Sequence, residues 1–150
     1  QLDVFAPYER FEGTPLFNKG EVQSAGIKVN HLLSTSHSLA AEYIFADSQQ
    51  RDNPNLLIPY IPEHYLHLAS NWSLPHKWLI GSNLTYRSER YEDQANTELL
   101  TDGWNLDITA YWESPDKSMK FQTKVSNILS DKAAAKDEDP YFSVRASYLF

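Results

Sequence analysis

The chain of 150 residues contains no cysteine, which excludes a disulfide framework and thiolate chemistry. It also lacks any run approaching the ~20 consecutive apolar residues of a membrane helix. Its net charge of -7 argues against nucleic acid as a partner. No signal peptide is visible, so we expect either a mature protein that starts at Gln1 or a piece of a longer one.

Alternating strands are the main pattern that is present. Eight segments alternate between apolar and polar residues, although Pro7 interrupts the first. In the clearest segment, Trp104, Ile108 and Trp112 share one face and Asp107 lies on the other. No convincing helix is found. The pattern predicts an all-β, antiparallel fold.

The connections between these segments alternate strictly in length. Tight turns are predicted at Ser34–His37, Pro75-His76 and Ser114–Lys117, and long loops at about residues 11–22, 47–63, 88–103 and 131–140. Bacterial outer-membrane barrels have short periplasmic turns and long extracellular loops. A soluble sandwich or lipocalin-like barrel, the remaining alternative, has no reason to segregate loop lengths so regularly.

Large aromatic side chains lie near both ends of the predicted strands. Those near a short turn or the C-terminus are Trp72, Trp78, Trp112, Tyr148 and Phe150, and those beside long loops are Tyr86, Trp104 and Phe142. The pairs Trp78/Tyr86, Trp104/Trp112 and Phe142/Phe150 are each eight residues apart. That separation corresponds to roughly 20 Å of height in a tilted strand, close to the ~25 Å apolar band of a barrel. The spacing predicts two membrane-interface belts.

The last predicted strand has an apolar face that ends in an aromatic residue. Phe142, Val144, Ala146, Tyr148 and Phe150 share that face. A terminal strand frays in water unless something holds it, whereas the closing strand of an outer-membrane barrel presents its apolar face to lipid. We therefore predict about eight up-and-down strands of a transmembrane β-barrel.

The second half of the chain resembles the C-terminal barrel strands of TonB-dependent outer-membrane receptors. The similar stretches span roughly residues 55 to 150 and are Ile61–His64, Asn83–Tyr91 with Asn96-Thr97, Val125–Lys132 and Arg145–Phe150. In the third stretch, Leu129 and an additional Ser130 stand where the family usually has one phenylalanine. The order and spacing of the four stretches carry the resemblance.

The resemblance implies a receptor or transporter barrel in the outer membrane and not an enzyme. Its function would be the energy-coupled uptake of a scarce solute, such as a metal chelate or a carbohydrate. The implied partners are outer-membrane lipid and lipopolysaccharide, the barrel-assembly machinery and the TonB system. Residues 1–150 contain no plug domain, and large transporters of this kind have about 22 strands. The chain is therefore expected to be the C-terminal part of a larger barrel; the alternative is a small self-contained eight-stranded barrel with a structural, adhesive or lipid-modifying role.

No catalytic site, metal site or cofactor is predicted. His64 and His67 are three residues apart on a strand and so point to opposite faces. Asp107 and Glu113 share a face but lie roughly 20 Å apart, too far for paired-carboxylate catalysis.

Two groups of residues are candidates for binding. Arg87, Arg90 and Tyr91 lie at the predicted outer mouth, where they could meet an anionic ligand, or the arginines could pair with neighbouring carboxylates. The resemblance also implies that the assembly machinery recognises the C-terminal strand. Its signal would consist of Phe142, Val144, Tyr148 and Phe150.

Overall fold

The computed structural model describes residues 1–5, 8–11, 20–129 and 139–148. The strands within these ranges are β1 (Leu2–Phe5), β2 (Tyr8–Phe11), β3 (Gly20–Ser34), β4 (His37–Gln50), β5 (His64–Leu74), β6 (Trp78–Arg87), β7 (Arg90–Tyr91), β8 (Leu99–Leu100), β9 (Gly103–Glu113), β10 (Met119–Ser126) and β11 (Tyr141–Tyr148). One 3-10 turn lies at Pro75–Lys77. The described ranges contain no helix with the length and apolar character to span a membrane.

The strands form one antiparallel up-and-down sheet. Its order is β1-β3-β4-β5-β6-β9-β10-β11, and β2 also pairs with β3. β1 and β2 therefore share one position beside β3, which gives the eight wall positions predicted from alternation. Pro7, the predicted interruption between them, lies outside the described residues. β7 and β8 form a separate hairpin within the predicted long loop at 88–103.

The three predicted tight turns are confirmed. Ser34 lies opposite His37 in the register of β3 and β4. The turn between β5 and β6 places His76 and Lys77 in the left-handed region, with φ of 61° and 64°. At Ser114–Lys117 the Lys117 amide donates to the Ser114 carbonyl at 2.9 Å. Of the predicted long loops, most of 11–22 and 131–140 lies outside the described residues.

The register places the predicted apolar residues on one face of the whole sheet. Residues directly opposite each other in an antiparallel pair share a face, so rows can be followed from strand to strand. Two such rows are Ile27–Tyr43–Leu66–Tyr86–Trp104 and His37–Trp72–Ile80–Ala110–Thr123–Val144. The predicted faces are therefore confirmed across the described strands.

No second layer covers this apolar face within the described part of the chain. Among the described residues, Leu100 in β8 is the one hydrophobic residue that is buried. On the apolar face, Trp72, Trp104 and Ile108 are 48%, 41% and 39% exposed. A soluble sandwich would bury such a face against another sheet or a helix. The single layer is instead typical of a barrel wall, as predicted.

The opposite face is polar and is linked by ion pairs and hydrogen bonds. Lys124 Nζ lies 2.9 Å from a carboxylate oxygen of Asp107. Asp107 also accepts a hydrogen bond from the Asn127 amide at 3.1 Å. The His67 ring contacts the Asn83 side chain at 3.3 Å. Such side chains suit the water-filled or plugged interior of a barrel.

Candidate functional site

The loops at the long-loop end of the sheet are held together by side chains that bond to backbone groups. Gln50, the last residue of β4, is 2% exposed. Its amide donates to the Leu57 carbonyl at 2.9 Å and to the Gln94 carbonyl at 2.6 Å. Because Leu57 and Gln94 belong to different loops, Gln50 connects both loops to the strand.

Asn96 makes a second connection between the same loops. Its side-chain oxygen accepts from the Leu57 amide at 2.6 Å, and its NH₂ group donates to the Leu57 carbonyl at 3.0 Å. The Tyr60 amide adds a hydrogen bond of 2.8 Å to the Tyr91 carbonyl. The loop at 51–63 is thereby fixed against the loop that contains β7 and β8.

Asp93 organises the turn between β7 and β8. Its carboxylate accepts hydrogen bonds from the amides of Thr97 and Glu98 at 2.9 and 2.8 Å, and from the Thr97 hydroxyl at 2.9 Å. These hydrogen bonds lower the pKa of Asp93, because they favour its charged form. The bond from the Glu98 amide has the largest effect on this pKa.

A pocket of about 460 Å³ opens between these loops and the end of β4. Arg90 and Tyr91, two of the three predicted ligand-binding residues, line it. Its charged side chains are three carboxylates and one guanidinium, and its apolar ones include an aromatic ring and aliphatic groups. These lining residues include Asp47, Glu63, Glu89 and Arg90, together with Phe45, Leu57, Ile61 and Leu99.

The two predicted arginines have different surroundings in the structure. Arg90 is 8% exposed. Its burial lowers its pKa, and the nearby charge of Arg87 lowers the pKa further. Arg87 instead lies over the Tyr65 ring, with its guanidinium carbon 5.9 Å from the ring centroid. Arg90 thus belongs to the pocket and Arg87 to the polar face. Their binding of an anionic ligand stays a prediction, and the three carboxylates in the pocket oppose a highly anionic one.

The predicted interface aromatics form two levels. Trp78 and Trp112 are directly opposite, with ring centroids 6.3 Å apart, and Tyr86 and Trp104 are opposite at 5.0 Å. Trp72 packs against His37, with centroids 4.0 Å apart, at the short-turn end. The two levels are eight residues apart along β6 and along β9. Their contact with membrane interfaces stays a prediction.

Three of the four residues of the predicted assembly signal lie on β11, an edge strand of the sheet in the described residues. Phe142, Val144 and Tyr148 are 66%, 52% and 58% exposed and share the apolar face. Phe150 lies outside the described residues, and so does the predicted Phe142/Phe150 spacing. Recognition of the strand by assembly machinery stays a prediction.

The sequence did not indicate which side chains hold the loops around the pocket in place. Gln50 and Asn96 act across loops, and a lone amide in a sequence carries no signal for such contacts. Asp93 was detectable in principle, since an Asp followed closely by Asn and Thr is typical of a side-chain-capped turn. No group of three or more His, Asp or Glu side chains that could hold a metal occurs in the part of the chain described.

Neither a protein-family model nor a curated protein matches this sequence. Solved structures do match its fold. The ferric yersiniabactin uptake receptor FyuA from Yersinia pestis superposes with a TM-score of 0.68 at 11% identity, over 97% of this chain and 25% of its own. The siderophore receptor PiuA from Acinetobacter baumannii gives 0.65 at 16% identity, over 98% and 24%.

A third solved structure, FpvAI in complex with pyocin S2, gives a TM-score of 0.60 at 14% identity, over 85% of this chain and 19% of its own. The chain therefore spans about a quarter or less of each of these proteins. At these identities the likeness concerns the fold. It confirms the expected all-β, antiparallel barrel-type architecture, which this chain shares with part of each of these proteins.

Proposed function

We propose that this chain forms part of the wall of a receptor barrel in the bacterial outer membrane, because its sheet has the fold of siderophore-receptor barrels. The observation that carries the proposal is the uncovered apolar face that continues from β3 to β11, opposite a polar face. Lipid tolerates sheets only as closed barrels, in which no backbone group is left unpaired. The remaining strands of the receptor would complete the closure.

The proposed activity is the energy-coupled uptake of a metal chelate or another scarce solute such as a carbohydrate. Metal chelates are favoured because one protein with this fold is a ferric yersiniabactin uptake receptor and another is a siderophore receptor. The pocket, at the proposed outer mouth, suits a ligand that has both hydrogen-bond donors and an acidic group. Three carboxylates line the pocket together with the guanidinium of Arg90. In the full receptor the TonB system would supply the energy.

Residues 1–150 would be C-terminal barrel strands, and another part of the receptor would supply a plug domain. Outer-membrane lipid, lipopolysaccharide and the barrel-assembly machinery are the further proposed partners. They follow from the proposed location.

A self-contained barrel is the second candidate, because eight wall positions equal the strand number of the smallest outer-membrane barrels. It would require β1 to pair with β11. Asp3→Cys combined with Arg145→Cys places one thiol on each edge strand. Efficient disulfide formation in membranes would support the small barrel.

Uptake measurements test the proposed activity. Cells with and without the protein are given ⁵⁵Fe bound to a hydroxamate or a catecholate chelator, and ¹⁴C-maltodextrin. We expect protein-dependent accumulation of one probe that a protonophore abolishes. Arg90→Gln should reduce it, whereas Arg145→Gln on β11 removes an arginine far from the pocket and should not. Equal accumulation of every probe in both strains would contradict the proposal.

A further inference from the structure

The apolar face of the sheet carries a groove of about 500 Å³ that spans β3, β4, β5, β6 and β9. Small side chains form its floor, because Ala41, Ser70 and Ser82 occupy positions where neighbouring rows have leucine or aromatic residues. Leu39 and Leu68 are among the larger residues that border it. A flat barrel exterior would offer no such depression to an acyl chain.

The groove extends towards the short-turn end, where hydrogen bonds fix an aromatic pair. The hydroxyl of Ser70 accepts from the Trp72 indole at 2.9 Å and contacts the His37 ring nitrogen at 3.0 Å. The Trp72 and His37 ring centroids lie 4.0 Å apart, with the ring planes tilted by 32°. Trp72 Nε1 and His37 Nε2 are thus both bonded to Ser70, and the carbon surfaces of the two rings are left for contact with lipid.

Two stretches beside the groove carry no negative charge, although the whole chain is acidic and Glu113 lies at the short-turn end of β9. Residues 29–41 and 64–88, which form the adjoining parts of β3 to β6, contain no Asp or Glu. Lys77 lies in the turn after β5, and His31, His37 and His76 belong to the same two stretches. The other described short turn, Ser114–Lys117, carries both signs, with Asp116 beside Lys117.

We propose that this groove binds an anionic phospholipid of the periplasmic leaflet. One acyl chain would lie over Ser70 and Ser82, and the headgroup phosphate would meet Lys77 and the neighbouring histidines. Apolar burial would supply the affinity, and the fixed charge would select the headgroup. The inference rests on the membrane location and orientation of the proposed function but not on transport.

Native mass spectrometry of the detergent-extracted protein tests this proposal, with phosphatidylglycerol and phosphatidylethanolamine that carry identical acyl chains. We expect wild type to retain phosphatidylglycerol preferentially. Ser82→Leu should weaken retention of both lipids roughly tenfold, the effect of losing the burial of about two methylene groups. Lys77→Gln should remove the preference and leave phosphatidylethanolamine unchanged.

Matched controls separate the groove from the rest of the apolar face. Ala110→Leu fills a small position outside the groove, and Lys117→Gln removes a lysine from the other turn; neither should change lipid retention. Ala41→Leu replaces Ser82→Leu if the latter loses its heat-modifiable folded band. Unchanged lipid retention in folded groove-filling variants would overturn the proposal, as would tighter binding of lipopolysaccharide than of phosphatidylglycerol, or a protein dimer that the variants abolish.

These outcomes are distinct from a failure of the proposed uptake activity. Lipid retention that depends on the groove would stand even if no probe were transported. Conversely, transport of a probe without selective retention of phosphatidylglycerol would refute only the lipid-binding role of the groove.

Discussion

At the scale of single residues, neighbours along a strand meet different surroundings. Ile108 lies opposite Ser82 and Val125 on the apolar face, whereas Thr109 lies opposite Gly81 and Lys124 on the polar face. If the apolar face meets lipid, a charge at these adjacent positions has very different consequences, because lipid cannot solvate it.

Arginine substitutions at the two positions test this difference. Ile108→Arg should lower the free energy of unfolding by about 2–4 kcal/mol near the middle of the membrane, and Thr109→Arg by much less. Denaturant titration in lipid vesicles measures both. Equal costs at the two positions would mean that the faces, or the solvent around them, are assigned incorrectly.

Asp93 provides a second prediction at this scale. Because its pKa is lowered in the folded loop, the stabilisation it gives is complete above the ordinary pKa of 3.8 and is lost as pH falls through the lower folded-state value. Asp93→Asn should therefore speed hydrogen exchange of residues 94–98 at neutral pH. Asp52→Asn, in the neighbouring loop, is the charge-matched control. Exchange in Asp93→Asn as slow as in the control would contradict the role assigned to the carboxylate.

At the scale of elements, the strands were predictable because alternation with period two is a local property of a sequence. The eight wall positions, the three tight turns and the shared apolar face all followed from it. The β7–β8 hairpin did not, since each of its strands has only two residues. The pocket was also not predictable from the sequence. Gln50 donates to the Gln94 carbonyl across a separation of 44 residues, and a contact of that kind leaves no local sequence pattern.

The alternation of long loops and tight turns predicts the orientation of the strands. The chain has no cysteine, so Ala95→Cys in the β7–β8 turn and Pro115→Cys in the β9–β10 turn each introduce a single thiol. A membrane-impermeant maleimide should label Ala95→Cys on intact cells, and Pro115→Cys only after the outer membrane is opened. Labelling of Pro115→Cys on intact cells would reverse the orientation.

At the scale of the whole molecule, the sheet has edges that must be satisfied before it is stable in lipid. In the described residues β11 pairs only with β10, and its other edge is open. An open edge can add to another sheet through main-chain hydrogen bonds while alternate side chains give specificity. This is the physical basis for expecting β11 to be recognised during assembly.

Replacing both Tyr148 and Phe150 by serine should lower the amount of full-length protein assembled in cells several-fold. Refolding in detergent should suffer less, since only the lost apolar burial matters there. Heat-modifiable folded protein in purified outer membranes is compared with the yield of refolding in vitro. If the double variant assembles in cells at the wild-type level, the proposed assembly signal is refuted, and Tyr148 and Phe150 are interface aromatics only.

The central claim is that the two faces of one sheet meet lipid and water. Single cysteines placed along β9 and spin-labelled in lipid vesicles test it most directly, because oxygen concentrates in lipid and a nickel chelate in water. We expect oxygen accessibility to dominate at Leu106, Ile108 and Ala110, and nickel accessibility at Asn105, Thr109 and Tyr111. Oxygen accessibility that does not alternate from residue to residue along β9 would contradict the account. Dominant nickel accessibility on both faces would also contradict it.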